Sequence, residues 1–218
     1  MIQRTSAALA ALLVAAAPVA AAELTCSGAL GPDSSEARLI ETYGKENVIT
    51  GEVPGAEGET MLATTVFPND EAKSFQVGWW DEETHEQLAW FTVPASDVAP
   101  GGVQVGQTVA EVQALNGEPF TLLGFYWDYG GTAGFDSGKL ASLPDDCSLS
   151  LTFQPTKDLA AGVDDTPVVG DKEVASTEPL LVDLDARVES ITMSYPDPNA
   201  SEEDAGGGEE AGGETAQP

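Results

Sequence analysis

The chain has 218 residues, of which 37 are acidic and 8 basic, for a formal net charge of −29 at neutral pH. A surface of that sign repels nucleic acid and anionic lipid and favours basic proteins or cations as partners; the same acidity keeps proteins soluble in saline surroundings. With 2 cysteines and 1 histidine, thiol and imidazole chemistry have few residues to draw on.

In chain order, Arg4 precedes an apolar run from Ala7 to Val19 that closes on Ala20-Ala21-Ala22, the pattern of a secretory signal peptide spanning 1–22. The run is too short to cross a bilayer, no second long apolar run follows, and Glu23-Leu24-Thr25 ahead of Cys26 is no lipoprotein signal. A periplasmic or secreted protein with no stable membrane anchor is expected. Removing the leader takes one cation and no acid, so 7 basic residues against 37 acidic leave about −30. Cys26 and Cys147 form an even pair in an exported chain, which reads as a disulfide. The loop it closes spans about 120 residues, for which chain entropy gives a stabilisation of about 5 kcal/mol at most.

Asp33 and Glu36 flank a helix start; Leu39, Ile40 and Tyr43 form its apolar stripe and Gly44 ends it. Strand-like stretches follow in VITGEV, TMLATTVF and SFQVGWWD. Thr108 to Pro119, TVAEVQALNGEP, predicts a second helix: Thr108 and Glu111 make a capping box, Val109, Val112 and Leu115 share one face, and Asn116-Gly117 then Pro119 stop it. FTLLGFYWDY, SLSLTF and VESITMSY supply further strands. After Tyr195 the sequence PDPNASEEDAGGGEEAGGETAQP has no cation and no large apolar residue, which predicts a disordered acidic tail over 197–218.

This pattern predicts an α+β fold: a mainly antiparallel sheet with short helices packed on one face, in a single domain over 23–196. The order helix, strands, helix, strands is compatible with two similar halves, 23–100 and 101–196, each with a Trp-Asp strand end at Trp80-Asp81 and Trp127-Asp128. Their spacing is unequal. Gly44 to Trp80 is 36 residues and Gly117 to Trp127 is 10, so the tryptophans do not occupy equivalent strands.

The segment GFYWDYGG, 124–131, concentrates aromatic residues. In an extended strand from Phe120, the row Leu123, Phe125, Trp127 and Tyr129 faces a core, while Leu122, Tyr126 and Asp128 face away. Trp80 likewise falls out of phase with Phe75, Val77 and Trp79. Trp80, Tyr126 and Asp128 are therefore the candidate binding residues, an aromatic and carboxylate surface suited to a protein partner or to sugars. Gly130 and Gly131 are read as a turn.

Residues 35–53 (SEARLIETYGKENVITGEV), 106–131 (GQTVAEVQALNGEPFTLLGFYWDYGG) and 145–153 (DDCSLSLTF) resemble an uncharacterised family of exported bacterial proteins, in which a helix ending in Asn-Gly runs into an aromatic strand. That resemblance implies no catalytic residue. The Gly106-x-Thr108-x-x-Glu111-Val112 opening, with Gly117-x-Pro119 at the helix end, is more loosely similar to the small α+β envelope modules of the β-lactamase-inhibitor and BamE-like type. These bind proteins, which implies a binding role.

Catalytic constellations are scarce. His85 sits among charges in DEETHEQ and reads as a surface residue; no HExxH or GxSxG occurs, and TAGFDSGKL lacks the first glycine and the hydroxyl of a phosphate loop. Asp128 with Asp136 is a conceivable carboxylate pair, and Asp145-Asp146 and Asp183-x-Asp185 offer oxygen ligands, but neither of these aspartate groups has calcium-loop spacing. No metal and no cofactor is expected. The functional expectation is a non-enzymatic, exported protein-binding module that engages a basic envelope protein, such as a hydrolase it restrains. The alternative is a glycan-binding or glycan-cleaving protein using the same aromatics and carboxylates.

Overall fold

Period-two alternation in the strand segments builds the architecture. The computed structural model describes residues 24–55 and 58–200. The leader assigned to 1–22 and residues 201–218 of the acidic tail lie outside the described residues. The first unit is helix α1 (Glu36–Tyr43) followed by β1 (Val48–Pro54), β2 (Thr60–Val66), β3 (Phe75–Asp81) and β4 (Glu86–Thr92), each strand antiparallel to the one before. The second unit is α2 (Val109–Asn116), β5 (Thr121–Leu123), β6 (Thr132–Ala133), β7 (Ser148–Gln154), β8 (Glu173–Ala175), α3 (Leu180–Asp183) and β9 (Arg187–Ser194). Seven strands form one sheet in the order β1-β2-β3-β4-β9-β7-β6, and β5 and β8 form a separate ribbon. The fold is α+β, and its strands pair antiparallel.

The halves 23–100 and 101–196 share this sheet but are not copies of one unit. The first is a meander. The second sends β5 and β8 into the ribbon and inserts β9 between β4 and β7. Strand β4, central to the sheet, carries no clear strand signal in the sequence because EQLAWFT adjoins the charged run around His85. Asp81 makes the turn into it, its Oδ1 accepting the backbone N–H of Glu83 and Thr84.

Register carries the alternation across the whole sheet. Val66 lies opposite Phe75, Val77 opposite Phe91, Phe91 opposite Met193, and Met193 opposite Leu149. All five partners of this apolar row other than Val77 are at most 5% exposed, and Val77 is at 0%. A bulge between Gly78 and Trp79 leaves both Leu88 and Phe91 on this side, each fully buried. Helix α1 covers it at β1 and β2, where Tyr43 packs edge-on against Phe67 and Phe75 with ring centroids 5.6 and 5.7 Å apart. Fully burying a Leu or Phe of this set contributes roughly 2 kcal/mol.

Both helices begin and end as local chemistry dictates. Ser35, not Asp33, caps α1 by accepting the Arg38 N–H, and Asp33 instead pairs with the Arg38 guanidinium at 3.1 Å. Thr108 and Glu111 form the reciprocal capping box of α2, and Gly117 follows at φ 83°, a left-handed position suited to glycine. Among the described residues no helix is long and apolar enough to cross a membrane.

Cys26 and Cys147 are joined, with Cα atoms 6.2 Å apart and a separation of 121 positions in sequence. The bond ties the N-terminal segment to the start of β7. Nearby, the buried Tyr195 hydroxyl donates to the Leu30 carbonyl at 2.6 Å. A disulfide of this kind fits an oxidising compartment. Replacing both cysteines by serine is expected to lower unfolding free energy by up to about 5 kcal/mol in denaturant titrations, as is reduction of the native protein. A change below about 1 kcal/mol in both would contradict the bond's structural role.

Candidate functional site

The segment Pro32–Ser35 runs alongside the start of β4. Gln87 N–H donates to the Ser34 carbonyl, Leu88 N–H to the Pro32 carbonyl, and Glu36 N–H to the His85 carbonyl, at 2.9 to 3.1 Å. Trp80 projects from the end of β3 beside it, 41% exposed. Past β9 the chain returns over the same end, where Asn199 Nδ2 donates to Gln87 Oε1. These three pieces enclose a groove of about 480 Å³. Its walls are Trp80, Leu88 and the prolines 32, 196 and 198, with the carboxylates Asp33 and Glu86 at its rim. Pro198 and Asn199 fall in the segment assigned to the tail, yet they have defined places here.

From Glu36 and His85, next in sequence to the groove residues Ser35 and Glu86, a polar chain runs into the core. His85 Nδ1 lies 2.8 Å from Glu36 Oε2, Thr50 Oγ1 donates to Glu36 Oε1 at 2.8 Å, and Thr50 and Thr64 hydroxyls are 2.6 Å apart. Trp79 Nε1 donates to Thr64 Oγ1 at 2.9 Å. Trp79 can only donate and the Thr50 proton goes to Glu36, so Thr64 donates to Thr50, and these protons point toward one carboxylate. Burial works to raise the Glu36 pKa, but the hydrogen bonds from His85 and Thr50, with the charge of His85, together hold it below the ordinary 4.5. His85 is thus half-buried and paired, not the free surface residue that its charged neighbours indicate.

The aromatic segment departs from its sequence reading. Strand β5 stops at Leu123, and residues 124–131 form a closed loop in which Gly131 N–H donates to the Leu123 carbonyl and Gly130 N–H to the Trp127 carbonyl. Without a continuing strand the row Leu123, Phe125, Trp127, Tyr129 does not face one core: Phe125 is buried at 1%, Trp127 is half-buried, and Tyr129 is 48% exposed. Leu122, expected to face away, is buried opposite Val174. The physical reason is close backbone packing. A Cβ at Gly131 would lie 1.9 Å from the Phe153 carbonyl oxygen, and one at Gly124 would lie 2.5 Å from that of Gly170.

Tyr126 adopts φ 67° at the loop tip and is 66% exposed, and Asp128 beside it is exposed too. Tyr126 lines a second cleft of about 320 Å³ with Leu159, Val163, Leu184 and the carboxylates Asp158 and Asp165. Trp80 does not join them. It belongs to β3, while the loop leads into β6 at the far edge, with β4, β9 and β7 between. The three candidate binding residues are therefore exposed but divided between two places.

Among the described residues no group of three or more His, Cys, Asp or Glu side chains is arranged to hold a metal. Asp185, one of the candidate oxygen ligands, is a structural hub. It accepts from Arg187 at 2.8 Å and from Thr156 at 2.9 Å, and Lys157 stands 3.5 Å away. The Arg187 bond first and the Thr156 bond second hold its carboxyl below the ordinary range. No family model, curated protein or solved structure matches the chain. The groove's prolines and the Glu36 chain were missed in sequence because their contacts join segments distant along the chain. Only the Trp80 phase shift pointed there.

The lowered Glu36 pKa fixes the sign of a pH effect. A depressed carboxyl contributes stability that is present above its unfolded value and lost as pH falls through the folded one. Glu36→Gln is expected to lower stability by about 1 kcal/mol at neutral pH. The difference from the parent protein should shrink below pH 4.5 and vanish once Glu36 is protonated in the folded state. Thermal unfolding of both proteins across that window measures it. A gap that persists unchanged in acid would contradict the assignment.

Proposed function

We propose that the protein is an exported, non-enzymatic binding module whose groove beside Trp80 takes a cationic segment of a basic envelope protein, such as a hydrolase that it restrains. The observation that carries this reading is the pairing of an exposed indole with two carboxylates around a groove of mixed polar and apolar lining. A Lys or Arg side chain lays its methylene stem along Trp80, Pro196 and Pro198 and offers its charge to Glu86 and Asp33. Glu86 has no ion-pair partner among the described residues, and Asp33 shares only an exposed pair with Arg38, which is weak in water.

The rest of the chain supports the same partner. A net charge of −29 steers basic proteins inward and speeds their encounter. The groove is about the size of ordinary ligand sites, and the backbone bonds around Pro32–Ser35 hold its wall in place before a partner arrives. A single aromatic surface uniting Trp80 with Tyr126 and Asp128 has no support, because three strands lie between them.

Titration calorimetry against a basic lysozyme tests the reading. Binding is expected to weaken steeply from low to high salt, Trp80→Ala to weaken it about tenfold or more, and Tyr126→Ala to leave it unchanged. Binding indifferent to salt, or equal in the Trp80→Ala protein, would contradict it. So would the absence of binding at low salt.

A further inference from the structure

The sheet has a second face, and it differs from the rest of the surface. One row of side chains there runs Ile49, Thr65, Gln76, Thr92, Thr192 and Ser150 across six strands. The next row runs Gly51, Ala63, Gly78, Trp90, Ser194 and Ser148. None of these twelve residues is a member of the hydrophobic core cluster, although Ala63 is fully buried. None is charged either. At the chain average of 21% charged residues, twelve positions would carry two or three, and more on an exposed face of so acidic a protein.

The chemistry of the face is specific. Trp90 lies on the sheet: a Cβ at Gly78 would come within 2.1 Å of its Nε1 and 2.3 Å of its Cε2, and Ala63 in the same row is 0% exposed. One side of the indole thus rests on Gly78 while the residue as a whole is only half-buried, which leaves a flat aromatic platform open to solvent. Beside it Thr192, Ser194, Ser148 and Ser150 bring hydroxyls that make no side-chain hydrogen bond among the described residues, whereas Thr92 accepts from Gln76 N–H. Hydroxyls on neighbouring strands recur at about 4.8 Å, and those on one strand at about 6.6 Å.

We propose that this open face binds a neutral polysaccharide. Stacking uses the apolar C–H side of a sugar ring against the Trp90 platform, and the ring's hydroxyl edges exchange hydrogen bonds with the unpaired Ser and Thr groups, which donate and accept equally well. Charge decides between occupants. A basic protein would find no carboxylate on these rows, and a second copy would bring another net charge of −29 against the first. A neutral, hydroxyl-rich polymer meets neither obstacle. The face adjoins the acidic groove at Trp80, but Trp90, Thr192 and Ser150 do not line that groove.

Retention of the purified oxidised protein on cellulose, chitin and starch granules, at low and at high salt, tests the proposal. The parent protein is expected to be retained on at least one of the three at both salt concentrations. Thr192→Lys and Thr192→Asp should each lose retention at least tenfold whatever the sign of the new charge, while Tyr126→Asp is retained like the parent. Thermal unfolding checks that the Thr192 proteins fold; if either does not, Ser150→Lys and Ser150→Asp take their place with the same expectation. Lack of retention on all three polymers, retention abolished by salt, or unchanged retention of the charged variants would overturn the proposal. So would sedimentation showing a dimer that Thr192→Lys dissociates, which would assign the face to a second copy.

Discussion

Side chains on a strand alternate between faces, and in this protein the register of seven strands keeps that alternation in phase from β1 to β6. Val66, Phe75, Val77, Phe91, Met193 and Leu149 fall on one side, buried in the core. Thr65, Gln76, Thr92, Thr192 and Ser150 fall on the other. A slip of one residue in any central pairing would exchange the sets, so the groove, the polar chain and the open face all depend on register. The bulge at Gly78/Trp79 shows how tightly this is managed: one additional residue on β4 lets Trp90 lie over Gly78 while Leu88 stays in the core.

The remaining devices fasten this layer to the chain that covers it. The disulfide joins the N-terminal segment to β7, Tyr195 reaches back to Leu30, and Glu36 gathers donors from the β3–β4 turn and from β1. Each fastening crosses a long stretch of sequence. Together they hold α1 and the Pro32–Ser35 wall against the sheet end where Trp80 stands, so the binding groove is a consequence of how the cover is attached. The two surfaces then divide the recognition chemistry, carboxylates around an indole at the sheet end and uncharged hydroxyls beside another indole on the open face.

Much of the fold was legible in the sequence because its signals are local. The capping box at Thr108 and Glu111, the Gly44 and Gly117 stops and the alternation in SLSLTF need only a few neighbouring residues to be read. The aromatic segment was misread because its conformation is set from outside: Gly124 and Gly131 admit backbone from Gly170 and Phe153, residues that no local pattern connects to them. The candidate site was legible in part. Exposure of Trp80, Tyr126 and Asp128 follows from strand phase or loop position, but their separation depends on strand order, which is a property of the whole sheet. The charge-free rows were present in SLSLTF and VESITMSY as serines and threonines alternating with apolar residues; only the register reveals that they are continuous.

Hydroxyl-radical footprinting of the oxidised protein, read by mass spectrometry, tests the one-sided sheet most directly. Two methionines and two neighbouring tryptophans lie on opposite faces: Met61 is 37% exposed and Met193 0%, Trp80 41% and Trp79 5%. The account predicts rapid modification of Met61, Trp80 and Trp90 with Met193, Trp79 and Phe91 protected until the protein unfolds. Comparable rates for Met193 and Met61, or for Trp79 and Trp80, would contradict it.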